Sequence, residues 1–104
     1  NVRMFTRYSF TSRVDAKLNS SPAMLLDLSV GGCGLRTTLP LKAGELVRVG
    51  LPGDLTPLLC LGKVVWTRPE PAVDKLPAGY RVGIRFTQAD EAALEAFIIM
   101  RADL

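Results

Sequence analysis

Two short patterns in this 104-residue chain hold chemistry-bearing side chains at fixed spacing. Arg3 and Arg7 bracket three residues in an RxxxR arrangement, and Asp27-Leu28-Ser29-Val30-Gly31-Gly32 forms DxSxxG. A guanidinium carries a planar fork of donors that meets an anion, or two neighbouring acceptors, in parallel hydrogen bonds. A carboxylate supplies only acceptors, and a hydroxyl both donates and accepts. Such a set suits recognition of a small anionic ligand. RxxxR alone is weak, since about 0.7 occurrences arise by chance at this arginine content, and Arg81–Arg85 repeats it. DxSxxG is rarer, with roughly 0.02 chance occurrences. The same six residues also fit a strand ending in a glycine turn, with Asp27 and Ser29 bonding local backbone; on the residues alone both readings stand.

The rest of the composition removes other chemistry. The chain has no histidine, which excludes histidine acid–base catalysis, Ser–His–Asp triads and histidine metal sites. Cys33 and Cys60 lie 27 residues apart in apolar surroundings, far from a zinc or redox spacing, and read as small buried hydrophobes in a reducing cytoplasm. No metal site and no enzymatic machinery are expected. The net charge of +3 belongs to residues 1–36, where five basic residues face two acidic ones; residues 37–104 carry eight of each sign. That excess is too small for duplex DNA binding. The longest uncharged apolar run, Ala96–Met100, is five residues, so no membrane span is expected, and no secretory leader is evident. The chain opens on Asn1 and reads as a piece of a longer protein.

These residues must be positioned by a mostly β scaffold. Tyr80–Phe86 alternates strictly, with Tyr80, Val82, Ile84 and Phe86 on one face and Arg81 and Arg85 on the other. Leu46–Leu51 places Val47, Val49 and Leu51 inward. Leu58–Arg68 is a third strand, with Gly62-Lys63 as a bulge or close-approach point. Arg7–Leu18 alternates loosely, and Ala23–Thr37 is an apolar run broken by glycines. Trp66 is expected in the core, and Arg36 in solvent. Thr87-Gln88-Ala89-Asp90 resembles a capping box with Thr87 as N-cap, opening a helical segment over 87–104 with Ala93, Leu94, Phe97, Ile98 and Arg101 at helical spacing. Several antiparallel strands and one amphipathic helix predict a small, closed or nearly closed barrel in a single domain. Residues 1–7 precede the first confident strand and are expected to form a mobile N-terminal arm.

In this order, RxxxR, a strand, DxSxxG running into Gly31-Gly32-Cys33-Gly34-Leu35, then Gly62-Lys63-Val64-Val65-Trp66 and Gly83-Ile84-Arg85-Phe86, the chain resembles the PilZ domain, a bacterial cyclic di-GMP receptor. The resemblance covers essentially the whole chain. It implies a six-stranded antiparallel β-barrel capped by a C-terminal α-helix, with cyclic di-GMP as ligand and no cofactor. By that analogy Arg3 and Arg7 clamp phosphate and the guanine Hoogsteen edge, Asp27 accepts from guanine N–H groups, Ser29 bonds beside it, and Gly32 lets backbone approach the ligand. Ligand would bridge the arm to the Asp27/Ser29 face and change what the barrel shows to a protein partner or fused output domain. Val2, where many members carry a further arginine, implies one ligand rather than a stacked pair. Two other readings keep the barrel: a scaffold working through protein contacts alone, and a single-strand nucleic-acid binder stacking bases on Tyr8 and Phe10.

Overall fold

The computed structural model describes residues 6–53 and 56–101. Six strands precede one helix: β1 (Tyr8–Leu18), β2 (Ser21–Ser29), β3 (Gly32–Thr37), β4 (Leu46–Leu51), β5 (Leu58–Glu70), β6 (Gly79–Gln88) and α1 (Glu91–Arg101). Every pairing is antiparallel, and the strands close into a ring in the order β1-β2-β3-β6-β5-β4. The seam between β1 and β4 is narrow, Lys17 opposite Gly50 and Leu18 opposite Val49. A two-residue turn ends β1, with Asn19 and Ser20 at φ 50° and 72°, the positive values a tight right-twisting hairpin needs. Asn19 pins that turn to the seam: its amide donates to the Arg48 carbonyl and its Oδ1 accepts from the Arg48 amide, both at 2.9 Å.

The core is the inward face of the ring. Val14, Ala16, Leu18, Leu25, Leu28, Cys33, Leu35, Val47, Val49, Leu51, Cys60, Val64, Val82 and Ile84 are buried there, joined by Leu94, Phe97 and Ile98 of α1. The helix begins later than its sequence suggests. Thr87 and Gln88 still belong to β6, and Asp90 is the cap: its Oδ1 accepts from the Ala93 amide at 3.1 Å, leaving Glu91 in the first turn at the positive end of the dipole. Phe10 meets the helix edge-on at Phe97, ring centroids 6.4 Å apart, and Tyr8 and Phe10 both pack against the core, which disfavours the alternative of a base-stacking platform.

Two departures from strict alternation decide which side chains face outward. In β2, Ala23 and Leu25 point in, and alternation would send Asp27 after them. The register shifts between Leu25 and Asp27, so Leu28 fills the core and Asp27 turns out. In β5, Cys60 and Val64 point in, and alternation would bury Trp66. A second shift between Val64 and Trp66 leaves Trp66 43% exposed, against the core placement its apolar neighbours predict. Thr67 turns inward instead, and its buried Oγ1 has no hydrogen-bond partner among the described residues. Gly62 sits at a further irregularity, as expected; a Cβ there would come within 2.6 Å of Ile84 Cγ2.

Candidate functional site

The outward residue pairs form a row across four strands: Asp27 on β2 opposite Gly34 on β3, Gly34 opposite Gly83 on β6, and Gly83 opposite Trp66 on β5. Both glycines are covered. A Cβ at Gly34 would lie 2.9 Å from Asp27 Oδ2, and one at Gly83 would strike the Trp66 indole. The carboxylate therefore rests over Gly34 and the indole over Gly83, neighbouring positions about 5 Å apart. Arg7 closes the row at its β2 end, Nη1 donating to Asp27 Oδ1 at 2.6 Å. Both partners are substantially exposed, so the pair contributes at most about 1 kcal/mol and rearranges readily.

Basic side chains surround this row. Arg85 and Lys63 stand opposite one another on β6 and β5, both exposed, and the Arg68 guanidinium lies 5.6 Å from the centroid of the Trp66 indole, within cation–π range. Arg36 and Arg81 converge on Glu70, whose Oε1 accepts from Arg36 Nη1 at 3.5 Å and from Arg81 Nε at 3.0 Å. Arg36 is not the solvent-facing arginine its position suggests. Its side chain is 11% exposed, and its Nη2 donates to the carbonyls of Pro71 and Pro77, both at 2.9 Å. It clamps the excursion between β5 and β6 onto the barrel.

The expected site residues fall into three groups. Arg7 and Asp27 meet. Arg3 lies outside the described residues, as does most of the expected arm. Ser29 and Gly32 have local roles. Ser29 is 2% exposed; its hydroxyl accepts from the Gly31 and Gly32 amides at 3.2 Å and donates to the Gly32 carbonyl at 3.3 Å. This is the backbone-bonding turn that the sequence left open. Gly32 is required by the neighbouring strand: a Cβ there would collide with the Ile84 carbonyl oxygen, so its bare backbone serves the β3–β6 packing. Gly34, Gly83 and Trp66 were not expected here. Their signal is a strand glycine facing another in register, which a reading of strands one at a time does not expose.

This row is a surface feature. A cleft of about 670 Å³ lies farther along the same outer face, walled by Asp15, Lys17, Met24, Arg36 and Pro77 among others, and neither Arg7 nor Asp27 lines it. Among the described residues no cluster of His, Cys, Asp or Glu could hold a metal, and no helix is long and apolar enough to cross a membrane. Both cysteines are buried and unpaired with each other. Burial pushes the Cys33 thiol far above its usual range, with smaller pushes from Cys60 and Asp27, and raises Cys60 to about 11.

Comparison with known proteins agrees with this architecture. The family model for the PilZ domain matches residues 1–99. The PilZ domain of YcgR from Escherichia coli, solved with c-di-GMP, superposes with a TM-score of 0.72 at 21% identity, covering 97% of this chain and 92% of that one. The Bacillus subtilis inhibitor of motility, MotI/DgrA, superposes with a TM-score of 0.70 at 15% identity over 96% of this chain. The chain spans 50% of the length of that motility inhibitor. No curated protein matches at the level of sequence.

Proposed function

The chain belongs to the PilZ domain family, and from that premise we propose that it is a cyclic di-GMP receptor whose ligand is held between the arginines of the leading segment and the Asp27 face. PilZ domains are ligand-binding effector domains rather than enzymes, and the absence of histidine fits that role. The observation that carries the reading is the meeting of Arg7 with Asp27 beside Trp66. Cyclic di-GMP offers two phosphates and two guanines. A guanidinium meets guanine O6 and N7, or a phosphate, with two parallel bonds. Asp27 accepts from guanine N–H donors, and the indole gives a base a surface to stack on.

In this proposal the exposed Arg7–Asp27 pair is a preformed clasp. Asp27 holds the guanidinium at the site through one nitrogen, leaving its remaining donors for the ligand. Arg3, four residues upstream, supplies the second fork as ligand draws the leading segment against the barrel. Ser29 acts by shaping the turn that carries Asp27, with direct ligand contacts left to Arg7, Arg3 and Asp27, and Gly32 acts through the same turn. A protein partner or fused output domain then reads the altered face, and the cytoplasm is the compartment where such a messenger acts.

Trp66, the sole tryptophan, gives the test. Titration with cyclic di-GMP is expected to change its emission saturably. Cyclic di-AMP, whose adenine presents an N6 donor in place of the O6 acceptor, should bind at least tenfold more weakly. Equal responses to the two dinucleotides, or none to either, overturn the reading and leave the barrel as a protein-contact scaffold.

A further inference from the structure

A second outward face, on β4 and β5, lies beside the site described above and shares only Lys63 with it. Leu46 is 73% exposed and Leu59 60%, with Val65 and Leu61 also on the surface. The register interleaves them with cations: Leu46 stands opposite Lys63 and Leu61 opposite Arg48, while Leu59 faces Gly50. Exposed aliphatics so concentrated on one small domain mark a contact surface.

We propose that this face docks an acidic amphipathic helix of a partner protein. Four observations select that occupant. First, β5 is paired along both edges, with β4 and β6, so an added strand finds no open backbone there and contact must be made by side chains on the face. Second, among the described residues Arg48 and Lys63 enter no ion pair, so the face carries uncompensated positive charge. Third, a symmetric pairing with a second copy would set these cations against their own kind, which costs rather than gains. Fourth, Arg48 and Lys63 stand in register between the aliphatics, so sinking the leucines into lipid would carry both cations down with them. A helix presenting Asp or Glu beside a leucine stripe meets both components at once.

The test uses a fluorescein-labelled Leu/Glu amphipathic helical peptide and its Leu/Lys counterpart, with anisotropy as readout. The Leu/Glu peptide is expected to bind saturably, to weaken at least tenfold with Leu61→Asp or Arg48→Glu, and to weaken as salt rises; the Leu/Lys peptide should not bind. Both substitutions are at exposed positions, and unchanged thermal melting together with unchanged cyclic di-GMP titration shows that fold and nucleotide site are intact. Equal binding of the two peptides, insensitivity to both substitutions, or no binding overturns the proposal. So does cosedimentation with phosphatidylglycerol vesicles, or self-association in the ultracentrifuge, that Leu61→Asp abolishes.

Discussion

Asp27 and Trp66 work as neighbours because each lies over a glycine, and the two glycines face one another across β3 and β6. Gly32 and Gly34 are two residues apart, yet their surroundings differ. A methyl at Gly34 meets the end of a movable carboxylate at 2.9 Å, whereas one at Gly32 meets fixed backbone at the Ile84 carbonyl. Gly34→Ala is therefore expected to keep the fold and displace Asp27, lowering cyclic di-GMP affinity by about 1 kcal/mol or more, on the scale of a disturbed bidentate guanine contact. Gly32→Ala should instead cost about 1–3 kcal/mol of folding stability by overpacking. Urea unfolding and ligand titration on both variants check this; equal stability losses would contradict the difference. Through the PilZ resemblance the sequence singles out Arg7, Asp27 and Ser29 as expected ligand contacts. It did not show that Ser29 would be consumed in the turn, because backbone bonding and ligand bonding ask for the same residue types.

At the scale of elements, the strands and their inward faces follow from alternation, and β4 and β6 match their expected faces throughout. What alternation could not supply is where it breaks. The shift in β2 turns Asp27 out of the core, and the shift in β5 does the same for Trp66. Both insert one residue into a ladder, which local apolar content does not mark. The β5 shift exposes Trp66 where its apolar neighbours predict burial, and it carries a cost in the Thr67 hydroxyl, which has no partner among the described residues. The helix start is ambiguous in the sequence for a similar reason: Thr87 and Asp90 are both good caps, and only the length of β6 chooses between them. The leading segment provides the prediction at this scale. In the proposed receptor, hydrogen exchange over residues 3–7 slows when cyclic di-GMP is added and not when cyclic di-AMP is added. Unchanged exchange there would remove the arm from the mechanism while leaving the Asp27 face.

For the whole molecule, the closed ring isolates its interior from the chemistry outside. Cys33 and Cys60 lie within it as thiols, and burial raises both, Cys60 to about 11 from an ordinary 9.0. The sign follows from linkage: below pH 9 both states hold the proton, and above it the unfolded chain ionises while the barrel keeps its thiols protonated. Stability from this source is therefore full below about pH 9 and declines between pH 9 and 11. Denaturant midpoints measured across that window should fall more steeply in the parent than in a Cys33→Ala/Cys60→Ala variant; parallel slopes would contradict it. The ring also separates two outward faces, one built around Arg7 and Asp27 and the other around Leu46 and Leu61, which meet along β5. Family membership and barrel architecture were legible from the ordered motifs, whereas the second face is visible only once register brings Leu46 beside Lys63 and Leu61 beside Arg48.

The receptor account rests on the shared hold of Arg7 and Asp27 on one ligand, and isothermal titration with cyclic di-GMP tests it most directly. The parent chain is expected to bind with an affinity well below the millimolar range. Arg7→Ala and Asp27→Ala should each lose about 1–3 kcal/mol of binding, by analogy with bidentate guanine readout, while folding stability shifts by no more than about 1 kcal/mol because their ion pair is exposed. Parent binding no tighter than millimolar, or full affinity retained by both variants, would contradict the account.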